Sequence, residues 1–275
     1  MTETGHVWGI VPAAGRGSRI QPLGFSKELL PLAARTEEGG ERPRAVSEYL
    51  VERMVLGGAG KICFVIAPGK FDILRYFGAK YGPASTAYVV QPEPAGLCDA
   101  IFRAAPLVAE DEAVLVGLPD TIWFPEQALQ TLPGDCLAFL LFPVQRPELF
   151  DAVVLDAEGG VREIRVKQPE AGSNWIWGAF KMPGAVFHAL HRLWLQRDRC
   201  DEYVGTLVNT WLETGGRARG VKAGTAYADV GTLEGYRTAL RLLAEVEAKA
   251  DGGHSDPGTR AYRKSPAAPD STMVR

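Results

Sequence analysis

The apolar residues of this chain come in short, nearly unbroken runs separated by stretches in which they recur every three or four positions. Residues 7–11, 62–66, 87–90 and 113–116 are such runs, the pattern of strands buried on both faces. Between them Val46–Leu56, Phe71–Phe77 and residues 98–107 have the spacing of amphipathic helices. Strand and helix in alternation imply βαβ crossovers, a largely parallel sheet, and ligands at the carboxyl ends of its strands.

From about residue 136 the pattern changes to longer β segments. Residues 137–144, 152–155 and Val161–Val166 read as strands, the last two joined through Asp156-Ala-Glu-Gly-Gly160 as a hairpin, and 175–182 as a further strand. Helices are predicted at Gly184–Gln196 and 203–213. A last one, at 233–248, carries Leu233, Tyr236, Leu240, Leu243 and Val246 at helical spacing. The expected fold is α/β: a Rossmann-like mixed, mostly parallel sheet flanked by helices, with a β-rich insertion. A single domain over 1–250 is expected, divided at about 135 and 231, with its final helix at about 232–250. The charged, Gly-rich segment 36–44 reads as a mobile flap or insertion, and 251–275, poor in apolar groups, as a disordered tail.

Composition changes this picture little. The 275 residues are 46% hydrophobic and 23% charged, as in an ordinary globular protein. A net charge of −3 argues against nucleic acid or an anionic membrane held by bulk electrostatics, so any phosphate binding must be local. There is no basic region leading into an apolar run near residue 1, and no stretch approaches the ~20 apolar residues of a membrane span. Cys63, Cys98, Cys136 and Cys200 are scattered, without metal-ligand spacing, and read as reduced thiols of a cytoplasmic protein.

The candidate chemistry begins where the first strand ends, in Ala14-Gly-Arg-Gly-Ser-Arg19 followed by Pro22-Leu23, Lys27 and Pro31. Gly15 and Gly17 allow a sharp turn whose N–H groups make an anion cradle. Arg19 offers a planar fork for phosphate oxygens and Lys27 a mobile point charge. Neither the P-loop nor the dinucleotide fingerprint fits this spacing. Two carboxylates are also expected at strand ends on the same edge of the sheet: Asp120 in Gly117-Leu-Pro-Asp120 and Asp229 in Asp229-Val-Gly-Thr232. Mg²⁺ needs only one or two carboxylates beside phosphate oxygens and water. Gln91, in Gln91-Pro-Glu-Pro-Ala-Gly96, offers a paired amide donor and acceptor suited to a uracil or thymine edge. Taken singly, each feature also has a structural explanation: a tight turn for the glycines, a cap for either aspartate, core packing for Trp175 and Trp177.

In type and order these elements resemble the signature of the sugar-1-phosphate nucleotidyltransferases, with glucose-1-phosphate thymidylyltransferases nearest, over residues 7–236. The resemblance implies that Ala14, Gly15, Gly17 and Ser18 cradle the nucleotide, that Gln91 and Gly96 contact its base, and that Asp120 and Asp229 hold Mg²⁺. Arg19 and Lys27 would then hold the triphosphate and Lys167 the acceptor phosphate. Trp177 and Gly178 would line the sugar pocket, which would occupy the β-rich part. The implied reaction joins dTTP or UTP to a sugar-1-phosphate and releases pyrophosphate. The order departs from the family at Val166, where relatives often carry a Glu on sugar hydroxyls, and this opens the choice of sugar. Cytidylyl or guanylyl transfer, a non-sugar acceptor, or a catalytically silent binding subunit are the alternatives. Homo-oligomers are common in the family, but no interface is legible in the sequence.

Overall fold

A computed structural model of the chain describes residues 6–37 and 40–252. The first half carries β1 (Val7–Pro12), β2 (Pro31–Glu37), β3 (Gly40–Ala45), α1 (Val46–Leu56), β4 (Lys61–Ile66), α2 (Phe71–Phe77), β5 (Lys80–Tyr81), β6 (Ala84–Val90), α3 (Gly96–Phe102), β7 (Ala113–Gly117) and β8 (Thr121–Phe124). The second half carries β9 (Leu137–Pro143), β10 (Asp151–Leu155), β11 (Val161–Val166), β12 (Trp175–Pro183), α4 (Gly184–Gln196), α5 (Val204–Glu213), β13 (Ala218–Val221), β14 (Ala226–Asp229) and α6 (Leu233–Gly252).

The main sheet is mixed, in the order β11-β10-β12-β7-β1-β4-β6-β5, with β9 also on β12 and β13 on β9. Its centre, β7-β1-β4-β6, is parallel. The strands alternate their apolar side chains between two cores: Ile10 and Val116 face the layer of α3, α4 and α5, while Val11 and Leu115 face that of α1 and α2. Being covered on both sides, these strands read as continuous apolar runs. Because the central strands are parallel, Pro12, Val90 and Gly117 end on one edge. The loops that follow them carry the glycine turn, Gln91 and Asp120.

Four expectations need correction. The segment 36–44 is no flap where it is described: β2 and β3 form an antiparallel hairpin. Its charges are what dock it, with Arg35 and Arg42 on Glu48, and Arg44 on Glu52 with its guanidinium 3.5 Å over the Tyr49 ring. The single helix expected over 98–107 is α3 followed by a 3-10 turn at Ala105–Leu107, since Pro106 has no N–H for the carbonyl of Phe102. Asp229 does not end a strand of the main sheet. It closes β14, which pairs only with β8 in a separate two-stranded sheet. The helix expected to end at 248 continues to Gly252, and the rest of the expected tail lies outside the described residues. Among the described residues no helix is long and apolar enough to cross a membrane.

Glu48, fully buried on α1, is the hub of the hairpin's docking. It accepts hydrogen bonds from Arg42, Tyr76, Tyr81 and the Ala45 N–H. Burial alone would raise its pKa, but these donors bring it down to about 2. A depressed carboxylate adds stability that is present above its unfolded value and lost as pH falls through the folded one. Glu48→Gln should therefore flatten the loss of stability between about pH 4.3 and about 2. Denaturant melts of both proteins across that window check it.

Candidate active site

The turn after β1 is fixed from α2. Lys70, at the start of that helix, donates to the carbonyls of Ala13 and Gly15, each at 2.7 Å, and to both carboxylate oxygens of Glu28 at 2.8 Å. Asp72 accepts from the backbone N–H and hydroxyl of Ser26, both at 2.6 Å. The chain is thus held on either side of Lys27. Gly17 has a φ of +64°, and a Cβ there would stand 2.6 Å from Cδ of Lys27, so the lysine stem lies directly against the turn. Ala14 is buried, whereas Gly15, Ser18 and Arg19 face solvent.

Lys27 reaches across to form an ion pair with Asp120. Burial works against both charges, yet each holds the other ionised: the lysine pKa is raised and the aspartate pKa lowered. The β8–β14 sheet sets Thr121 opposite Asp229, and the Val230 N–H donates to the Asp120 carbonyl at 2.7 Å. The second carboxylate is therefore beside the first. Burial and then the Asp120 charge push the Asp229 pKa up. Arg19 stands 3.7 Å from Asp229.

Arg19, Asp120 and Asp229 face a cleft of about 160 Å³, whose walls also include Lys167 and Trp177, with Lys27 reaching it through Asp120. Five of the residues picked from the sequence, drawn from segments up to 210 positions apart, converge there. Lys167 has a φ of +48°, rare for a side chain with a Cβ, and its ammonium lies 4.5 Å over the Tyr203 ring. Gly178 lies under two rings, since a Cβ would meet Phe142 at 2.6 Å and Tyr227 at 2.9 Å.

Gln91 and Gly96 lie away from this cleft, at the end of β6 and the start of α3. Gln91 is buried, and its amide nitrogen donates to Asp99 at 2.8 Å and to the Gly96 carbonyl at 3.1 Å. That side chain braces the turn, and its N–H groups are engaged within it. Sequence reasoning missed Glu28, Lys70, Asp72, Asp151, Tyr203 and Tyr227. Only Glu28, adjacent to Lys27, carried a signal: an acid in a segment that is otherwise basic or apolar.

Two aspartates, with no third His, Cys, Asp or Glu gathered around them among the described residues, are a poor closed metal cage. They suit a hard cation that completes its shell with ligand oxygens and water. A Cβ placed on Gly231 would fall 2.8 Å from Asp229 Oδ1, 2.9 Å from Arg19 Nη2 and 3.4 Å from Asp120 Oδ2, so both carboxylates and the Arg19 guanidinium border the space that the glycine leaves open. The donor set, two adjacent carboxylates, fits Mg²⁺.

The profile of the nucleotidyl transferase family matches residues 8–246. A glucose-1-phosphate thymidylyltransferase of Neisseria meningitidis is 26% identical over 251 residues, 87% of this chain and 83% of that one. A protein of Methanocaldococcus jannaschii provisionally named a UTP–glucose-1-phosphate uridylyltransferase is 26% identical over 219 residues, 66% of this chain and 74% of that one. Among solved structures, a UTP-bound UGPase of Acinetobacter baumannii superposes with a TM-score of 0.70 at 19% identity, covering 90% of this chain and 99% of that one, a likeness of fold.

Proposed function

Since the chain belongs to the nucleotidyl transferase family, we propose that it transfers a thymidylyl or uridylyl group from the nucleoside triphosphate to a sugar-1-phosphate. The observation that carries this reading is the single cleft where Arg19, Asp120, Lys167 and Asp229 meet. Cations and carboxylates alternate there, as two phosphate-bearing substrates and a divalent cation require. The two named sequence relatives supply the thymidylyl and uridylyl choice.

An oxygen of the acceptor phosphate attacks the α-phosphorus of the triphosphate. A new P–O bond forms, the α–β bridging P–O bond breaks, and its electron pair leaves on pyrophosphate. Such a step needs alignment and charge neutralisation more than a proton carrier. Arg19, exposed at the cleft, and Lys27, paired with Asp120, hold the triphosphate. Lys167, which lines the same cleft, orients the acceptor phosphate. Asp120 and Asp229 would hold Mg²⁺, which when bound would supply charge neutralisation for the phosphate oxygens.

Purified protein with Mg²⁺ and a sugar-1-phosphate panel should release pyrophosphate from dTTP or UTP and not from ATP. Silence with every pair from a folded protein would overturn the reading. Release from CTP or GTP alone would overturn its choice of base.

A further inference from the structure

At the end of β11 the position where the family often carries a sugar-binding glutamate is Val166, an apolar residue that packs toward α5. A Cβ on Gly205 of that helix would stand 2.6 Å from Val166 Cγ2. Directly opposite Val166, in the antiparallel register of β10 and β11, is Asp151. On the other side of β10, Ala152 pairs with Ile176, which sets Trp177 beside Asp151. Val166, Asp151 and Trp177 thus form one rank across three strands. Opposed residues of an antiparallel pair project from the same face with Cβ atoms about 4.5–5.5 Å apart. A carboxylate at 151 therefore reaches much of the space that one at 166 would reach.

Asp151 lines the same cleft as Lys167. The Trp177 indole N–H donates to its Oδ2 at 3.3 Å, which fixes the carboxylate plane. Among the described residues nothing donates to Oδ1. Asp151 Oδ1 is not among the buried unpaired atoms of the described residues, so it stays open to the cleft, where a ligand donor can reach it. Burial pushes its pKa up, against the pull of the Lys167 charge. Lys167 itself leaves the strand at its positive φ while its N–H still bonds the Phe150 carbonyl at 3.0 Å, so ammonium and carboxylate flank one end of the cleft.

We propose that Asp151 is the specificity-determining residue for the acceptor, its Oδ1 accepting a hydrogen bond from a ring hydroxyl of the sugar whose phosphate meets Lys167. This inference rests on the nucleotidyl-transfer reading and extends it: the acceptor bears a free hydroxyl at the position facing Asp151.

The test uses the accepted sugar-1-phosphate and its mono-deoxy analogues with Asp151→Asn, Asp151→Ala and the double variant Asp151→Ala/Val166→Glu. Loss of a hydrogen bond to a charged group should raise the acceptor KM about 10- to 100-fold in Asp151→Ala, less in Asp151→Asn, with the triphosphate KM held within about twofold. For the analogue lacking the contacted hydroxyl, the penalty of Asp151→Ala should vanish, and Val166→Glu should restore part of the loss with the full sugar. If the unaltered enzyme is active but Asp151→Ala leaves the acceptor KM unchanged, or raises both KM values together, the inference is overturned while nucleotidyl transfer stands. Silence of the unaltered enzyme sinks both.

Discussion

Replacing Lys27 by alanine is expected to lower turnover by about 10²- to 10³-fold, the scale for removing one preorganised electrostatic stabiliser. The lysine does two things beside the cleft. Its ammonium offsets Asp120 directly, and it also lowers the net negative charge seen by Asp229, whose pKa burial and Asp120 already raise. Without it the two carboxylates repel each other across the space beside Gly231, and an incoming triphosphate meets a cleft one positive charge poorer. Asp120→Asn is expected to lose activity on the same scale for the opposite electrostatic reason. The amide relieves Asp229 but is a weaker ligand for a hard cation. The two variants should therefore separate in Mg²⁺ titrations of pyrophosphate release. Lys27→Ala should mainly raise the triphosphate KM and lower kcat, while Asp120→Asn should shift the Mg²⁺ concentration for half-maximal rate upward. Both should stay folded by circular dichroism, and near-normal turnover in either would remove it from the machinery.

What was legible in the sequence divides along the range of the interactions. The bounds of α1, α2, α4 and β11 match the expectations because local periodicity carries them. The strands β8 and β14 were missed. Each is four residues long, pairs only with the other, a hundred positions away, and packs on α1 and α6 from distant parts of the chain. Arg35, Arg42 and Arg44 made the hairpin look like a solvated loop, since its buried acceptor, Glu48, belongs to a helix whose other face is apolar. At the site, a motif shows which side chains carry charge but not which of them are already occupied. Asp120 and Asp229 were readable as a pair, whereas the engagement of Gln91 by Asp99 and the opposition of Asp151 to Val166 depend on burial and register. The tie between Lys70 and Glu28 spans 42 positions and leaves no local pattern at all.

That tie leads to the largest expected loss of stability, in Lys70→Met. Glu28 is 1% exposed, and its carboxylate is bonded through both oxygens to an ammonium that also holds two carbonyls of the glycine turn. Removing one partner of a buried pair leaves an uncompensated charge and costs about 3–5 kcal/mol. The loss should depend on pH in a definite sense. Burial already raises the Glu28 pKa against the pull of Lys70, and without the lysine it rises further. A carboxyl with a raised folded pKa is best tolerated protonated, so the deficit should be small below the unfolded value of about 4.3 and should grow as pH climbs through the folded one. Denaturant melts at pH 4.5 and pH 8 measure both ends. Glu28→Gln in the same chain should recover most of the stability and abolish the pH slope. The triphosphate KM should nevertheless stay raised, because the carbonyls of Ala13 and Gly15 remain untethered and the anion cradle is no longer held in shape. A deficit that is the same at both pH values would show that the carboxylate is not what Lys70 is there to hold. A double variant with a normal triphosphate KM would show that the turn keeps its form without the lysine.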